Sequence, residues 1–230
     1  MAKTANIIRA AVFASGNGTN AENILGHCEK NPGIQAVAIV TDQPYAGVIE
    51  RAKKFGTACE VVPRKQGMDK VAHEQAIFEV LQKHKVDWIF LAGYMRILSP
   101  DFLRKFHDDK LGVNRVVNIH PSLLPAFPGA DSYLQAFNAG VKIAGVTLHF
   151  VDDGVDTGPI IMQRAFEREE EEDFDHFRAR GMKLEYEIYS EFLRHLVAGE
   201  VSVAGIPGTD RRIVCLGKDG EKGKWAQQSG

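Results

Sequence analysis

The chain has little cysteine. Cys28, Cys59 and Cys215 are the three in 230 residues. They stand far apart, with no Cys-x-x-Cys and no Cys/His cluster, which speaks against a disulfide framework or a zinc site and fits reduced thiols. Long apolar runs are also lacking: none approaches the roughly 18 residues that a membrane span needs. Nor is there an excess of one charge. Twenty-eight Lys and Arg against 30 Asp and Glu leave a formal net charge of -2, so no global field draws the chain to nucleic acid or to an anionic membrane. The first residues carry one Lys and no cleavage signal before strand-like sequence begins. A cytoplasmic protein with no nucleic-acid or membrane partner is therefore expected. There is no internal repeat and no linker, so residues 1–216 are expected to form a single domain. The Gly/Lys/Gln-rich stretch 217–230 reads as a flexible tail.

What is present is an alternation of short apolar runs and helical segments. Strands are predicted at Ile7–Ala14, Ala36–Thr41, Ala58–Val62, Trp88–Ala92 and Val116–Ile119. Between them lie predicted helices ending near Lys30, at Ala46–Phe55, at Met68–His84 and from Ser99-Pro100 onward, where Ser suits an N-cap and Pro the first helical position. Such spacing predicts an α/β fold, a doubly wound and mostly parallel sheet with helices on both faces. Gly145–Val151 and Pro159–Phe166 follow a short helix at Tyr133–Ala139 and have no helix between them, so part of the sheet is expected to be antiparallel. The acidic run Glu169–Asp173 reads as a solvated lead into a last helix, Phe174–Ala198.

In such sheets ligands bind at the carboxyl ends of strands, and three segments there carry chemistry. Ser15-Gly16-Asn17-Gly18-Thr19-Asn20 follows the first strand. Its glycines permit a tight turn, and the helix N-terminus after it offers unpaired N–H groups suited to a phosphate. It lacks the third glycine of a dinucleotide fingerprint and the Lys-Ser/Thr of a P-loop. In Asn118-Ile119-His120-Pro121, the period of two puts the amide and the imidazole on one face of a strand, with a proline-bounded loop after them. The stretch Thr147–Pro159 brings His149 and then Asp152, Asp153 and Asp156 on a glycine-punctuated loop. Its spacing is not that of a calcium-binding EF-hand loop, and a carboxylate brought beside a histidine there would favour the imidazolium.

These segments, with Ala92–Pro100 and the run Asn118–Gly129, resemble the phosphoribosylglycinamide formyltransferases, in order from about Ile7 to Ala198. The resemblance implies the Rossmann-like formyltransferase fold and a catalytic trio of Asn118, His120 and Asp156. It implies a ribose-phosphate site at Gly18, Thr19 and Asn20, joined by Met182, Lys183, Leu184 and Glu185, with Glu185 as the contact. A folate site is implied at Met95, Arg96, Ile97 and Leu98, at Asn118, and on the loop of Asp152, Asp153, Gly154, Val155 and Asp156. Lys70 falls where many members carry Arg near the folate. Asp131-Ser132-Tyr133 departs from a histidine-bearing version found in some members and receives no role.

The donor implied is 10-formyltetrahydrofolate, the acceptor phosphoribosylglycinamide, with no metal and no covalent enzyme intermediate, in a monomer or homodimer. A methionyl-tRNA formyltransferase would need a further RNA-binding domain, and a formyltetrahydrofolate hydrolase a further N-terminal one. A sugar-nucleotide formyltransferase shares the trio, but the Gly18-Thr19-Asn20 loop favours a ribose phosphate. A non-catalytic nucleotide-binding module is the alternative from another class.

Overall fold

The computed structural model describes residues 7–217. Of the stretch 217–230 expected to be a tail, only Gly217 is described, its N–H donating to the carbonyl of Glu200 at 2.9 Å, and the rest lies outside the described residues. Among the described residues, eleven strands and six helices follow in the order β1 (Ile8–Phe13), α1 (Thr19–Lys30), β2 (Ile34–Thr41), α2 (Val48–Lys54), β3 (Cys59–Val61), α3 (Lys70–Lys83), β4 (Trp88–Leu91), α4 (Pro100–Arg104), β5 (His107–Asp108), β6 (Val113–Asn114), β7 (Val116–His120), α5 (Ser132–Asn138), β8 (Ile143–Phe150), β9 (Ile160–Glu167), α6 (Phe174–Val197), β10 (Val201–Gly205) and β11 (Arg212–Leu216).

Seven strands form one sheet in the order β3-β2-β1-β4-β7-β8-β9. The first five are parallel to one another, and β8 runs antiparallel to both β7 and β9. The mixed character expected from the missing helix between β8 and β9 is thus present. Strand order reverses between β1 and β4, and at such a switch point the loops leaving the two strands part and open a crevice.

Alternate residues of β1 serve the two faces. Ala10 and Val12 join one apolar cluster, which contains Ile24 of α1 and Phe192 of α6. Ala11 and Phe13 join the other, with Ile77 and Leu81 of α3 and Phe102 of α4. That is why the sequence of β1 is apolar throughout instead of alternating.

The helix boundaries follow local chemistry. Asp69 accepts from the Ala72 N–H at 2.7 Å at the start of α3. Ser99 accepts from Phe102 N–H at 3.2 Å before Pro100 of α4, and Asp173 accepts from His176 N–H at 2.9 Å before α6. The acidic run therefore ends in a cap. Along α6, Phe177, Gly181, Glu185, Ile188, Tyr189, Phe192 and Leu196 are buried, a stripe at helical spacing. Tyr189 is fully buried, and its hydroxyl donates to the carbonyl of Leu91 at 2.6 Å, pinning α6 to the end of β4.

Two features go beyond the sequence-based expectation. The short β5–β6 ribbon and the antiparallel hairpin β10–β11 stand outside the main sheet. Val214 is buried against the core, while Ile206 and Ile213 are exposed.

Candidate active site

The carboxyl end of β7 carries the polar cluster. Asn118 and His120 project from one face of β7, and cross-strand register sets Asn118 opposite His149 and His120 opposite Thr147. The loop after β7 is held from below. Thr147, fully buried, accepts from Leu124 N–H at 3.0 Å and donates to the carbonyl of Ser122 at 2.7 Å. Gln163 on β9 donates to the carbonyl of Leu124 at 3.0 Å.

Asp156 reaches the cluster from the β8–β9 loop. Its backbone has φ 55°, a left-handed conformation in which Asp and Asn are the tolerated residues after Gly. One carboxylate oxygen, Oδ2, accepts from Gly129 N–H at 2.9 Å and lies 3.3 Å from His120 Nδ1. The other, Oδ1, is 3.6 Å from His149 Nε2.

The protons of the two imidazoles follow from their partners. His120 Nε2 is 2.8 Å from the carbonyl of Phe127 and 3.1 Å from Ser132 Oγ, whose own hydrogen goes to the carbonyl of Gly129 at 3.0 Å. Nε2 is surrounded by acceptors and must carry a hydrogen. The exchangeable position of His120 is Nδ1, facing Asp156.

His149 is the reverse case. Its Nδ1 donates to the carbonyl of Phe150 at 2.8 Å, so its Nε2 lone pair accepts from Asn118 Nδ2 at 3.2 Å. Burial holds this imidazole below the usual histidine range, against the opposing pull of the Phe150 carbonyl and the Asp156 carboxylate. A neutral His149 fixes which way the Asn118 amide points and leaves its second N–H free.

The glycine loop lies at the carboxyl end of β1. Gly18 is the N-cap of α1 at φ 71° and makes no side-chain cap, so the first-turn N–H groups have no side-chain partner from that residue. Asn20, in that turn, donates through Nδ2 to Glu185 at 2.5 Å, while its buried Oδ1 has no partner among the described residues. Of the α6 residues considered, Glu185 is the one that reaches the loop. Met182 and Leu184 pack against the core and Lys183 is exposed.

The segment leaving β4 borders a cleft of about 320 Å³, whose lining includes Arg64, Lys70, His73, Tyr94, Met95 and Arg96. Met95 and Ile97 are exposed, and Leu98 is buried. The segment is anchored by the buried Asp42, which accepts from Ser15 Oγ at 2.6 Å and from Arg96 Nε at 2.7 Å. The Ser15 hydroxyl in turn accepts from Met95 N–H at 3.0 Å. Lys70 stands in this cleft, 3.9 Å from Glu74. In the other wall assigned from sequence, Asp152 closes its own loop by accepting from Gly154 N–H at 3.2 Å and Thr157 Oγ1 at 2.7 Å. Asp153, Gly154 and Val155 are exposed. Arg64, Lys70 and the Asp42-paired Arg96 bring cations to this cleft, and among the described residues the buried Tyr94 hydroxyl has no partner. Among the described residues there is no group of three or more His, Cys, Asp or Glu that could hold a metal ion.

Residues 8–193 match the family model described as formyl transferase. The chain is 46% identical over 188 residues to the phosphoribosylglycinamide formyltransferase of Bacillus subtilis, covering 81% of this chain and 93% of that one. The chain belongs to the phosphoribosylglycinamide formyltransferase family. It is also similar to the trifunctional purine biosynthetic protein adenosine-3 of Bos taurus, at 32% identity over 212 residues, where it covers 92% of this chain and spans only 20% of the longer protein. Among solved structures, glycinamide ribonucleotide transformylase 1 from Symbiobacterium toebii superposes with a TM-score of 0.82 at 35% identity, covering 94% of this chain and all of that one.

Two residues in or beside the site, Arg64 and Tyr133, carry no role from sequence, and at His149 burial outweighs the carboxylate that was expected to favour the imidazolium. His149 stands on the pairing partner of β7, and its position at a strand end was the available signal. Arg64 stands beside Lys65 and Gln66 in a short polar stretch with no motif to mark it.

Proposed function

We propose that the chain transfers the formyl group of 10-formyltetrahydrofolate to the glycinamide amine of 5'-phosphoribosylglycinamide, a step of de novo purine (IMP) biosynthesis, in the cytoplasm. The domain that does so is 1–216. The observation that carries this reading is the convergence of Asn118, His120, His149 and Asp156 at the end of β7. In the sheet, the segment bordering the folate cleft and the glycine loop leave the neighbouring strands β4 and β1.

In this reading the Gly16–Asn20 loop holds the phosphate through main-chain N–H groups, and Asn20 with Glu185 meets the ribosyl part. Met95–Leu98, Asn118 and the Asp152–Asp156 loop hold the pterin, and Lys70 with Arg64 faces the acidic end of the folate. The amine attacks the formyl carbon directly, and the formyl oxygen gathers negative charge in a tetrahedral intermediate. The free N–H of Asn118, aimed by neutral His149, donates to that oxygen. His120 exchanges a proton at Nδ1, and Asp156 stabilises the protonated imidazole and passes the proton on, through water where no direct contact exists. The departing folate nitrogen takes the proton that the attacking amine gives up.

The test is an acceptor panel with 10-formyltetrahydrofolate: phosphoribosylglycinamide, an amino-sugar nucleotide and water. Turnover is expected with the first alone. Faster turnover with the sugar nucleotide would transfer the reading to that class, and no turnover with any acceptor would favour a binding module.

A further inference from the structure

Tyr133 carries no part in the mechanism above, yet it is placed with unusual care. It follows directly on Ser132, which touches His120, so the first two residues of α5 reach two different parts of the site. The Tyr133 hydroxyl donates to Glu185 Oε1 at 2.5 Å, while Asn20 donates to Oε2. Glu185 is 6% exposed and Tyr133 is 8% exposed, so the pair is shielded from water on nearly every side. The tyrosine ring lies edge-on to Phe177, with centroids 6.3 Å apart, and directly over Gly181 of α6, where any Cβ would overlap its outer ring atoms. Gly181 therefore leaves the space in which the phenol sits.

A buried carboxylate needs donors. Two are present, and each oxygen has a second lone pair free. Beside it, the buried Asn20 Oδ1 has no donor among the described residues. The place therefore offers acceptors for a molecule that brings hydroxyl or amine hydrogens. Burial raises the Glu185 carboxyl above the usual range, and the hydrogen bonds from Tyr133 and Asn20 oppose that rise.

We propose that Tyr133 is a positioning residue for the acceptor substrate: its hydroxyl holds the Glu185 carboxylate in the orientation that receives the hydroxyl or amine donors of the phosphoribosyl amine. This rests on the reading above that Glu185 and Asn20 face that substrate. Tyr133 itself touches no reacting atom. Without its hydroxyl, Glu185 keeps one donor and swings within its cavity, so the acceptor substrate must reorder it on binding.

The test is a double-mutant cycle on KM for both substrates, using Tyr133→Phe, Glu185→Gln and the two together. Tyr133→Phe is expected to raise KM for the amine by about tenfold, the scale of one hydrogen bond to a charged group. KM for the formyl donor and kcat should stay within about twofold. In the Glu185→Gln background, Tyr133→Phe should add nothing further. The same factor in both backgrounds, or equal rises for both substrates, overturns the proposal. Glu185→Gln separates the two levels. If it leaves the amine KM unchanged, the assignment of the amine site fails and this proposal with it. If it raises that KM while Tyr133→Phe does not, only the proposal fails. Should Tyr133→Phe not fold, Gly181→Ala displaces the ring by sterics alone and should show the same split, and an unchanged amine KM in that variant overturns the proposal.

Discussion

His120 Nδ1 and Asp156 Oδ2 lie 3.3 Å apart, although one belongs to a strand and the other to the loop between two later strands. The contact depends on the left-handed backbone at Asp156 and on the Gly129 N–H that holds the same oxygen. Asn accepts that backbone as readily as Asp, so Asp156→Asn removes charge while keeping the loop's shape. We expect kcat to fall by about 10²-fold, the scale of general acid–base loss, with both KM values little changed. His120→Ala should cost more, because it also removes the donor to Phe127. Steady-state kinetics on purified variants checks both, and an undiminished kcat in Asp156→Asn would leave Asp156 as a loop-ordering residue.

Gly18 is tested through its backbone. At φ 71° a side chain is strained, and a Cβ there would lie 2.5 Å from Val48 Cγ2 and 2.9 Å from Val48 Cα. Gly18→Ala should push the glycine loop away from α2, lowering the melting temperature and raising KM for the amine far more than for the formyl donor. Equal rises for both substrates would contradict a phosphate role for this loop.

Asp42 governs the other side. Burial acts to raise its carboxyl, but hydrogen bonds from Ser15, Gln43 and Arg96, with the Arg96 charge, outweigh it and hold the group below its ordinary value of 3.8. A carboxyl depressed in the folded state adds stability above its unfolded value, and that stability is lost as pH falls through the folded one. Asp42→Asn should therefore be less stable than wild type by a constant margin from about pH 5 to 8, and the margin should shrink below about pH 4. It should also raise KM for the formyl donor, since Arg96 and Met95 lose their anchor, and leave the amine KM unmoved. Thermal melts across pH and paired KM measurements settle it; a margin that grows toward acid would show that the ionised carboxylate is not what Arg96 needs.

Much of this was legible because it is local. The β/α alternation, the cap at Ser99, and the shared face of Asn118 and His120 each depend on residues within a turn or a two-residue period. The β8–β9 step showed as two strands with no helix between them. The remainder depends on contacts between segments far apart in sequence. That His149 aims the Asn118 amide is a matter of register between β7 and β8, which no residue in either strand specifies alone. Tyr133 meets Glu185 only because α5 packs on α6 at Gly181. The hairpin β10–β11 has turn chemistry in Pro207-Gly208-Thr209-Asp210, but its strands lie outside the main sheet and bury one face only in part, which leaves a weak pattern.

Direct transfer from folate to amine at the Asn118, His120 and Asp156 cluster is the step proposed for this protein. The measurement that meets it most squarely is a single-turnover experiment with enzyme in excess over formyl-labelled 10-formyltetrahydrofolate, quenched in acid after mixing with phosphoribosylglycinamide. The label should pass from the folate to the amide product in one phase, with none on the precipitated protein and none as free formate. Label bound to protein, or formate released at the same rate with and without the amine, would contradict the account.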